Sequence, residues 1–116
     1  MKCVKIFHYD AVQAKVAEEG ASKVKVRWLI TKDIGAENFA MRLFEMEPGG
    51  HSPLHTHAWE HEVFILDGEG FVFDGEKERK FKAGDVVFVP PNERHQFKNN
   101  GQNTLKFLCL VPYMKK

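Results

Sequence analysis

The chain has 116 residues, of which 43% are hydrophobic and 28% are charged, a composition that suits one globular domain over residues 1–116. Its formal net charge of +1 at pH 7 gives no bulk attraction to nucleic acid or membrane, so neither is expected as a partner. No apolar run approaches the roughly 18 residues of a membrane-spanning helix, and the N-terminus lacks an apolar signal region. We therefore expect a cytoplasmic protein in which Cys3 and Cys109 are reduced thiols.

The N-terminal half contains two runs that are typical of β-strands. Residues 23–28 alternate basic and apolar side chains, so the apolar ones share one strand face. Residues 39–46 form the next predicted strand, which Pro48 and the glycines after it should end. The remaining segments are predicted as an edge or exchanged strand (4–7), a loop or irregular strand (11–20) and a turn-rich loop (31–38). The apolar residues 4–7 and the ten phenylalanines also predict a homodimer, because association adds buried area to a small domain.

The C-terminal half is a series of short apolar runs separated by Gly, Asn, Asp and Pro turns. This pattern is typical of an all-β sandwich or barrel in one closed domain. The predicted strands cover residues 54–57, 62–66, 71–73, 77–81, 86–89, 96–98 and 104–111. In the last strand Lys106 marks the exposed face, so Cys109 should point into the interior.

Three side chains in these segments have more than one expected role. Arg42 lies in the middle of an apolar strand, where an arginine is usually paired or extends to solvent. It would instead bind an anionic substrate if it pointed into a cavity. Trp59 is expected either at a cavity rim or as a packing anchor. Cys109 is expected to be an inert buried thiol, with a ligand or catalytic role as the less common alternative.

Four of the six histidines fall in the segment GGHSPLHTHAWEH, which begins at Gly49. His55 and His57 are two residues apart, so on a strand both point to the same side and could bind one metal ion. His61 cannot join them on a straight strand, because six residues of strand span about 20 Å. Metal–nitrogen bonds are about 2.1 Å long. The chain must therefore bend through residues 58–60 to bring His61 back.

Two other interpretations of this segment compete with metal ligation. The first is that the histidines are solvated surface residues, which is disfavoured because such residues rarely fall in ligand spacing. The second is a metalloprotease, since residues 57–61 match the signature H-x-x-E-H, which must lie on a helix. Pro53 before the signature and the apolar residues 63–66 after it favour strands instead.

Two spaced motifs in the chain resemble those of the cupin superfamily. The first, G-x5-H-x-H-x3-4-E-x6-G, is matched by Gly49, His55, His57 and Gly68. The second, G-x5-P-x-G-x2-H-x3-N, is matched by Gly84, Pro90, His95 and Asn99, with Asn92 in place of the third-position glycine. Asparagine tolerates positive φ better than most residues, so this turn can be kept. The resemblance covers about residues 39–111, with the motifs near 49–68 and 84–99, and implies a jelly-roll barrel (a double-stranded β-helix).

The chain departs from the cupin pattern at the usual glutamate ligand. That ligand has two candidate positions, His61 and Glu62, and only the six-residue count from His61 reaches Gly68. The chain therefore resembles the small single-domain cupins that hold manganese with four histidines. The resemblance implies a metal site made of His55, His57, His61 and His95. His51 is off the motif spacing and is not expected to be a ligand.

The resemblance implies one divalent transition metal ion, with Mn or Fe favoured, while imidazole ligands also suit Zn, Ni and Cu. Four protein ligands would leave two adjacent positions open on an octahedral ion for a bidentate small molecule. The expected function is that of a metal-dependent oxidoreductase or dioxygenase acting on a small organic molecule in the barrel. A non-catalytic small-molecule or metal-binding module is the first alternative, and a metal-dependent isomerase or decarboxylase is the second. The fold hosts many chemistries and does not select among them.

Overall fold

The structure is a computed structural model, and it describes residues 4–113 of the chain. These residues form nine strands and two single-turn 3-10 helices, and all the strand pairings between them are antiparallel. The strands are β1 (Lys15–Val16), β2 (Ser22–Ile30), β3 (Phe39–His51), β4 (His61–Asp67), β5 (Glu69–Phe73), β6 (Glu78–Lys82), β7 (Val86–Val89), β8 (Gln96–Lys98) and β9 (Leu105–Pro112). The 3-10 helices are Tyr9–Ala11 and Lys32–Ile34. The predicted all-β jelly-roll barrel is confirmed.

Strand β3 links the two halves of the curled sheet. It pairs with β2, with β9 and, at its C-terminal end, with β8, in the order β6-β5-β8-β3-β9-β4-β7. Alternate residues of β9 face inward, where Leu105, Phe107 and Cys109 are buried while Lys106 remains partly exposed. The predicted orientation of this strand is therefore confirmed. The inward faces meet in one core, whose most completely buried side chains are Met46, Ile65 and Leu105.

The prediction that β3 ends before Pro48 is wrong, because the strand continues to His51. The register between β2 and β3 shifts between Ser22 and Val24, and the β9 pairing stops at Met46. Pro48 therefore lies where neither neighbour continues the ladder, so its missing N–H breaks no strand pairing. Beyond it the strand bends at Gly49, which has a φ of +83°, and transfers from β9 to β8.

The prediction of a strand over residues 54–57 is also wrong. This segment makes a single antiparallel bridge, between His55 and His95, and no continuous ladder. Pro53, which lacks an N–H, directly precedes it. In the segment predicted as loop or irregular strand, β1 adds a short strand that pairs with β2. Across residues 4–113, no helix has the length and hydropathy needed to cross a bilayer.

The N-terminal apolar patch (residues 4–7) makes no strand pairing with any other residue between 4 and 113. Val4 and Ile6 are 91% and 92% exposed, which is unfavourable for isolated apolar side chains. The homodimer remains a prediction, as does the role of residues 4–7 as an edge or exchanged strand. We expect sedimentation at micromolar concentration to show a species twice the 13.4 kDa chain mass, and Val4→Ser/Ile6→Ser to shift it toward monomer. The control is Val16→Ser, which alters another exposed side chain (85%) and should leave the distribution unchanged. A wild-type sample that sediments only as monomer would contradict the prediction.

Candidate metal centre

Three histidines converge at the bridge between the two motif segments. His55 and His95 exchange backbone hydrogen bonds, with N–O distances of 3.2 and 3.1 Å. His57 follows two residues later, and its Nε2 lies 3.0 Å from Nε2 of His55. One ring nitrogen from each of the three lies within 4.8 Å of the others, a spacing that could hold one metal ion. The residues predicted from the spacing of the two motifs are thus brought together.

The turn that aims His95 depends on Asn92. Its φ of +66° is the conformation that the motif's glycine would adopt, and its backbone N–H donates to the carbonyl of His57 (2.6 Å). The Nδ1 of His95 lies 3.0 Å from the carbonyl oxygen of Glu93. A carbonyl only accepts, so Nδ1 carries the hydrogen and Nε2 keeps its lone pair for a metal. The turn thereby sets both the direction and the tautomer of this imidazole.

His61 lies beside the three histidines at the start of β4. Its ring centroid is 5.2 Å from that of His57 and 5.1 Å from that of His95, although it falls outside the tightest group of three. The Nδ1 atom is 3.5 Å from Sγ of Cys109, and the buried Nε2 has no hydrogen-bond partner among the described residues. A buried nitrogen without a partner is unfavourable by roughly 1–3 kcal/mol. A metal ion would remove that penalty, so His61 fits the expected ligand set.

The other candidate positions point elsewhere. Glu62 is exposed, because strand alternation turns it to the face opposite His61. Nδ1 of His51 lies 3.0 Å from the carbonyl oxygen of Ser52, outside the histidine group. His8 is exposed and accepts from the backbone N–H of Asp10 at the first 3-10 helix. Residues 57–61 contain a bend at 58–59 and the start of β4 but no helix, so the metalloprotease interpretation is excluded.

The metal-free site favours neutral imidazoles. Burial is the main cause that lowers the pKa of His55 and of His57. The positive charges of neighbouring site histidines and of Arg42 lower both pKa values further. For His61, burial, followed by the charge of Arg42, lowers the pKa to about 3. Neutral imidazole is the form that binds a metal. Three of the four expected ligands are therefore held in their ligating state around neutral pH.

The histidines open into a cavity of about 560 Å³ inside the barrel. Arg42 lines this cavity, which is the orientation on which the anion-binding role depends, and that role stays a prediction. Trp59 lines the cavity and also stacks on His57, with centroids 4.5 Å apart, so both roles expected for it are observed. The remaining walls of the cavity are mainly apolar. They include Val24, Val26, Trp28, Ala40, Phe44, Phe97, Phe107 and Val111.

Residues of β1 and of the segment after it also line the cavity, although their sequence pattern did not indicate it; they include Lys15, Val16 and Glu18. A carboxylate oxygen of Glu18 lies 4.0 Å from Nδ1 of His55. No local pattern indicates this placement, because it arises from the antiparallel pairing of β1 with β2.

Cys109 contacts both Arg42 and His61 on the cavity wall. The Nη2 group of Arg42 donates to its sulfur at 3.1 Å, and Nδ1 of His61 lies on its other side. Burial raises the pKa of the Cys109 thiol, so the sulfur is uncharged at neutral pH despite the nearby guanidinium. The buried, inward position predicted for this residue is confirmed. Cys3 lies outside the described residues, so its predicted thiol state stays a prediction.

Known proteins share both the sequence pattern and the fold of this chain. An oxalate-binding protein from Thermotoga maritima is 36% identical over 96 residues, which cover 79% of this chain and 78% of that protein. The polyketide cyclase RemF from Streptomyces resistomycificus superposes with a TM-score of 0.89 at 33% identity, covering 95% of this chain and 80% of that one. A predicted oxalate decarboxylase from Thermotoga maritima superposes with a TM-score of 0.84 at 25% identity, covering 95% and 100% of the two chains.

The family described as the cupin domain matches residues 42–111, which include both histidine motifs and strands β4 to β8. This match by itself covers more than half of the chain. The barrel fold and the sequence relatives agree with it. The chain therefore belongs to the cupin superfamily.

Proposed function

We propose that the chain is a metal-dependent enzyme of the oxidoreductase or dioxygenase type, acting on a small organic molecule in the barrel. Its one divalent transition ion is bound by His55, His57, His61 and His95. The observation that carries this proposal is the convergence of these imidazoles on an open cavity, where Nε2 of His61 is buried and has no partner within residues 4–113. A bound ion would act as a Lewis acid or redox centre toward a molecule in that cavity.

The protein's own residues provide the rest of the chemistry. Neutral imidazoles leave the ion's positive charge uncompensated, and Arg42 adds a further charge, so the cavity favours an anionic group. The aromatic wall, with Phe44 stacked on Phe107 at 5.2 Å, favours the organic part of a ligand. The stacking of Trp59 on His57 and the hydrogen bond from His95 to Glu93 hold two ligand rings in one orientation.

The identity of the metal follows from the resemblance more than from the ligand type. Mn or Fe is proposed on that basis, whereas imidazole ligands and the usual affinity order would also allow Zn, Ni or Cu. A set of four nitrogen ligands with no carboxylate does not select strongly among them. We propose that the ion bound in the cell depends on metal supply as well as on the site.

A second candidate function is a non-catalytic binding module. The observation that favours it is the similarity to a protein named for binding oxalate, not for converting it. A metal-dependent decarboxylase or isomerase is a weaker alternative, supported by the superposition on a predicted oxalate decarboxylase. All three proposals share the same metal and cavity, so turnover is what separates them.

Metal analysis of protein purified without an affinity tag tests the proposal. We expect about one transition ion per chain, and none in a matched His55→Ala/His95→Ala variant that keeps the wild-type circular dichroism spectrum. Oxygen uptake is then measured with that ion restored and a panel of small organic acids. Wild-type protein that binds no more metal than the variant would refute the proposal. Stoichiometric metal with ligand binding but no turnover would support the binding module instead.

A further inference from the structure

Arg42 lies in the cavity and has no acidic partner among the residues that the structure describes. Its guanidinium carbon lies 5.3 Å from the ring centroid of Trp28 and 4.9 Å from that of Phe44. Its Nη2 group donates to Cys109 Sγ, and its buried Nε has no hydrogen-bond partner among the described residues. Within residues 4–113, no carboxylate lies within ion-pair distance of it. The side chain is therefore held by neutral groups, and its charge remains available.

Arg27 on the adjacent strand provides the contrast. Its Nε donates to a carboxylate oxygen of Glu45 at 2.8 Å, and its Nη1 donates to the carbonyl of Val12 at 2.7 Å. This arginine lies on the opposite face of the sheet, outside the cavity, and its charge is neutralised. Two arginines on neighbouring strands thus differ in the one respect that matters for binding an anion.

A partly buried guanidinium with an unsatisfied N–H is unfavourable unless something compensates it. Cation–π contacts contribute roughly 0.5–2 kcal/mol, and a neutral sulfur is only a weak acceptor. A carboxylate binds a guanidinium fork through two parallel charge-assisted hydrogen bonds, which are about twice as strong as neutral ones. Arg42 is therefore poised for an anion that enters the cavity.

The cavity also limits the size and shape of the ligand. Its volume of about 560 Å³ falls within the roughly 300–1,000 Å³ of pockets that hold drug-sized molecules. Oxalate, the smallest dicarboxylate, would leave most of it empty. Phe44, Phe107 and Phe97 form a continuous stack, with successive centroids 5.2 Å apart, along the wall beside Arg42. Such a wall favours flat, apolar ring systems.

We infer that Arg42 is the ligand-recognition residue of this cavity, and that its ligand is a carboxylate carried on a planar body of about two fused rings. The inference rests on the proposed function in one respect: the end of the ligand away from Arg42 would reach the metal ion. Arg42 binds the anionic group, and the phenylalanine wall contacts the rings.

Calorimetric titration with three probes tests the inference: 2-naphthoate, its neutral isostere 2-naphthamide, and oxalate. We expect wild-type protein to bind 2-naphthoate at least tenfold more tightly than 2-naphthamide, and more tightly than oxalate. Arg42→Met, which keeps bulk but removes the charge, should reduce the preference for the anion well below the wild-type ratio, and only the attraction of a bound metal ion should remain. Arg42→Lys, which keeps the charge but loses the fork, should retain part of it. Arg27→Met is the matched control and should behave as wild type.

The inference is overturned if Arg42→Met, with a native circular dichroism spectrum, keeps the wild-type anion preference, or if oxalate binds more tightly than 2-naphthoate. If Arg42→Met does not fold, Arg42→Lys with an undiminished preference has the same meaning. Metal content, measured on each sample, separates this test from that of the proposed function. A metal-free wild type that still prefers 2-naphthoate through Arg42 refutes the metal proposal alone. Full metal content with no dependence on Arg42 refutes the inference alone.

Discussion

Replacing His61 with alanine is expected to remove most of the bound metal, whereas Glu62→Ala should retain it at the wild-type stoichiometry. Beside His57 and His95, His61 presents a buried Nε2 that finds no partner in the described part of the chain, while Glu62 faces outward. Losing a direct ligand should weaken affinity by more than the ~10–100-fold typical of an outer-shell partner. Metal titration with competition by a chelator measures the difference.

The remaining histidines provide the controls for this experiment. Alanine at His55, His57 or His95 should weaken binding as strongly as alanine at His61. His51→Ala and His8→Ala should leave affinity nearly intact, because both side chains hydrogen-bond outside the group. Stoichiometric metal in His61→Ala together with its loss in Glu62→Ala would show that the ligand was assigned to the wrong residue.

The metal-free protein is expected to lose stability as the pH falls from about 6.5 toward 3. The pKa of His61 is lowered to about 3 in the folded protein, mainly by burial, while an unfolded histidine titrates near 6.5. Between these values the unfolded chain binds the additional proton, so acid favours unfolding. For His61 alone, the free energy of unfolding should decrease by about 2 kcal/mol from pH 7 to pH 5. Above pH 6.5 its contribution is fully present.

Denaturant unfolding after chelation, at pH 7 and at pH 5, measures this effect. His61→Gln removes the titrating group and should lose clearly less stability over the same interval than wild type does. His8→Gln removes an exposed imidazole and should follow the wild-type curve. Identical pH dependence in wild type and His61→Gln would contradict the expected role of burial.

Burial also shifts the pH at which protons compete with the metal. Unperturbed histidines would begin to lose metal below about pH 6.5. Because the pKa values of His55, His57 and His61 are lowered, protonation of these residues begins at a lower pH. We therefore expect metal to be retained at a pH where a solvated histidine site would already release it.

The histidine motifs were readable from the sequence because ligand spacing and turn chemistry are local. His55 and His57 share a side through their separation of two, and Asn92 keeps the motif turn because it tolerates positive φ. Gly68, whose count selected His61, also has a positive φ (+88°), and a Cβ there would lie 2.9 Å from the carbonyl oxygen of Thr104. The glycine at position 68 thus has a steric cause.

The sequence by itself determined the all-β class, the inward face of β9 and the histidines that meet, because alternation and glycine turns act over a few residues. Only the tertiary structure decided that β3 runs through Pro48, since that depends on where β2 and β9 stop pairing. It also decided that Arg42 faces the cavity. The local pattern favoured a paired or solvated arginine. In the sheet, however, Arg42 lies between Trp28 of β2 and Cys109 of β9, and the side chains of all three line the cavity. Which face of a strand points into the barrel is set by its register with strands that are distant in the sequence, and no short segment encodes that register.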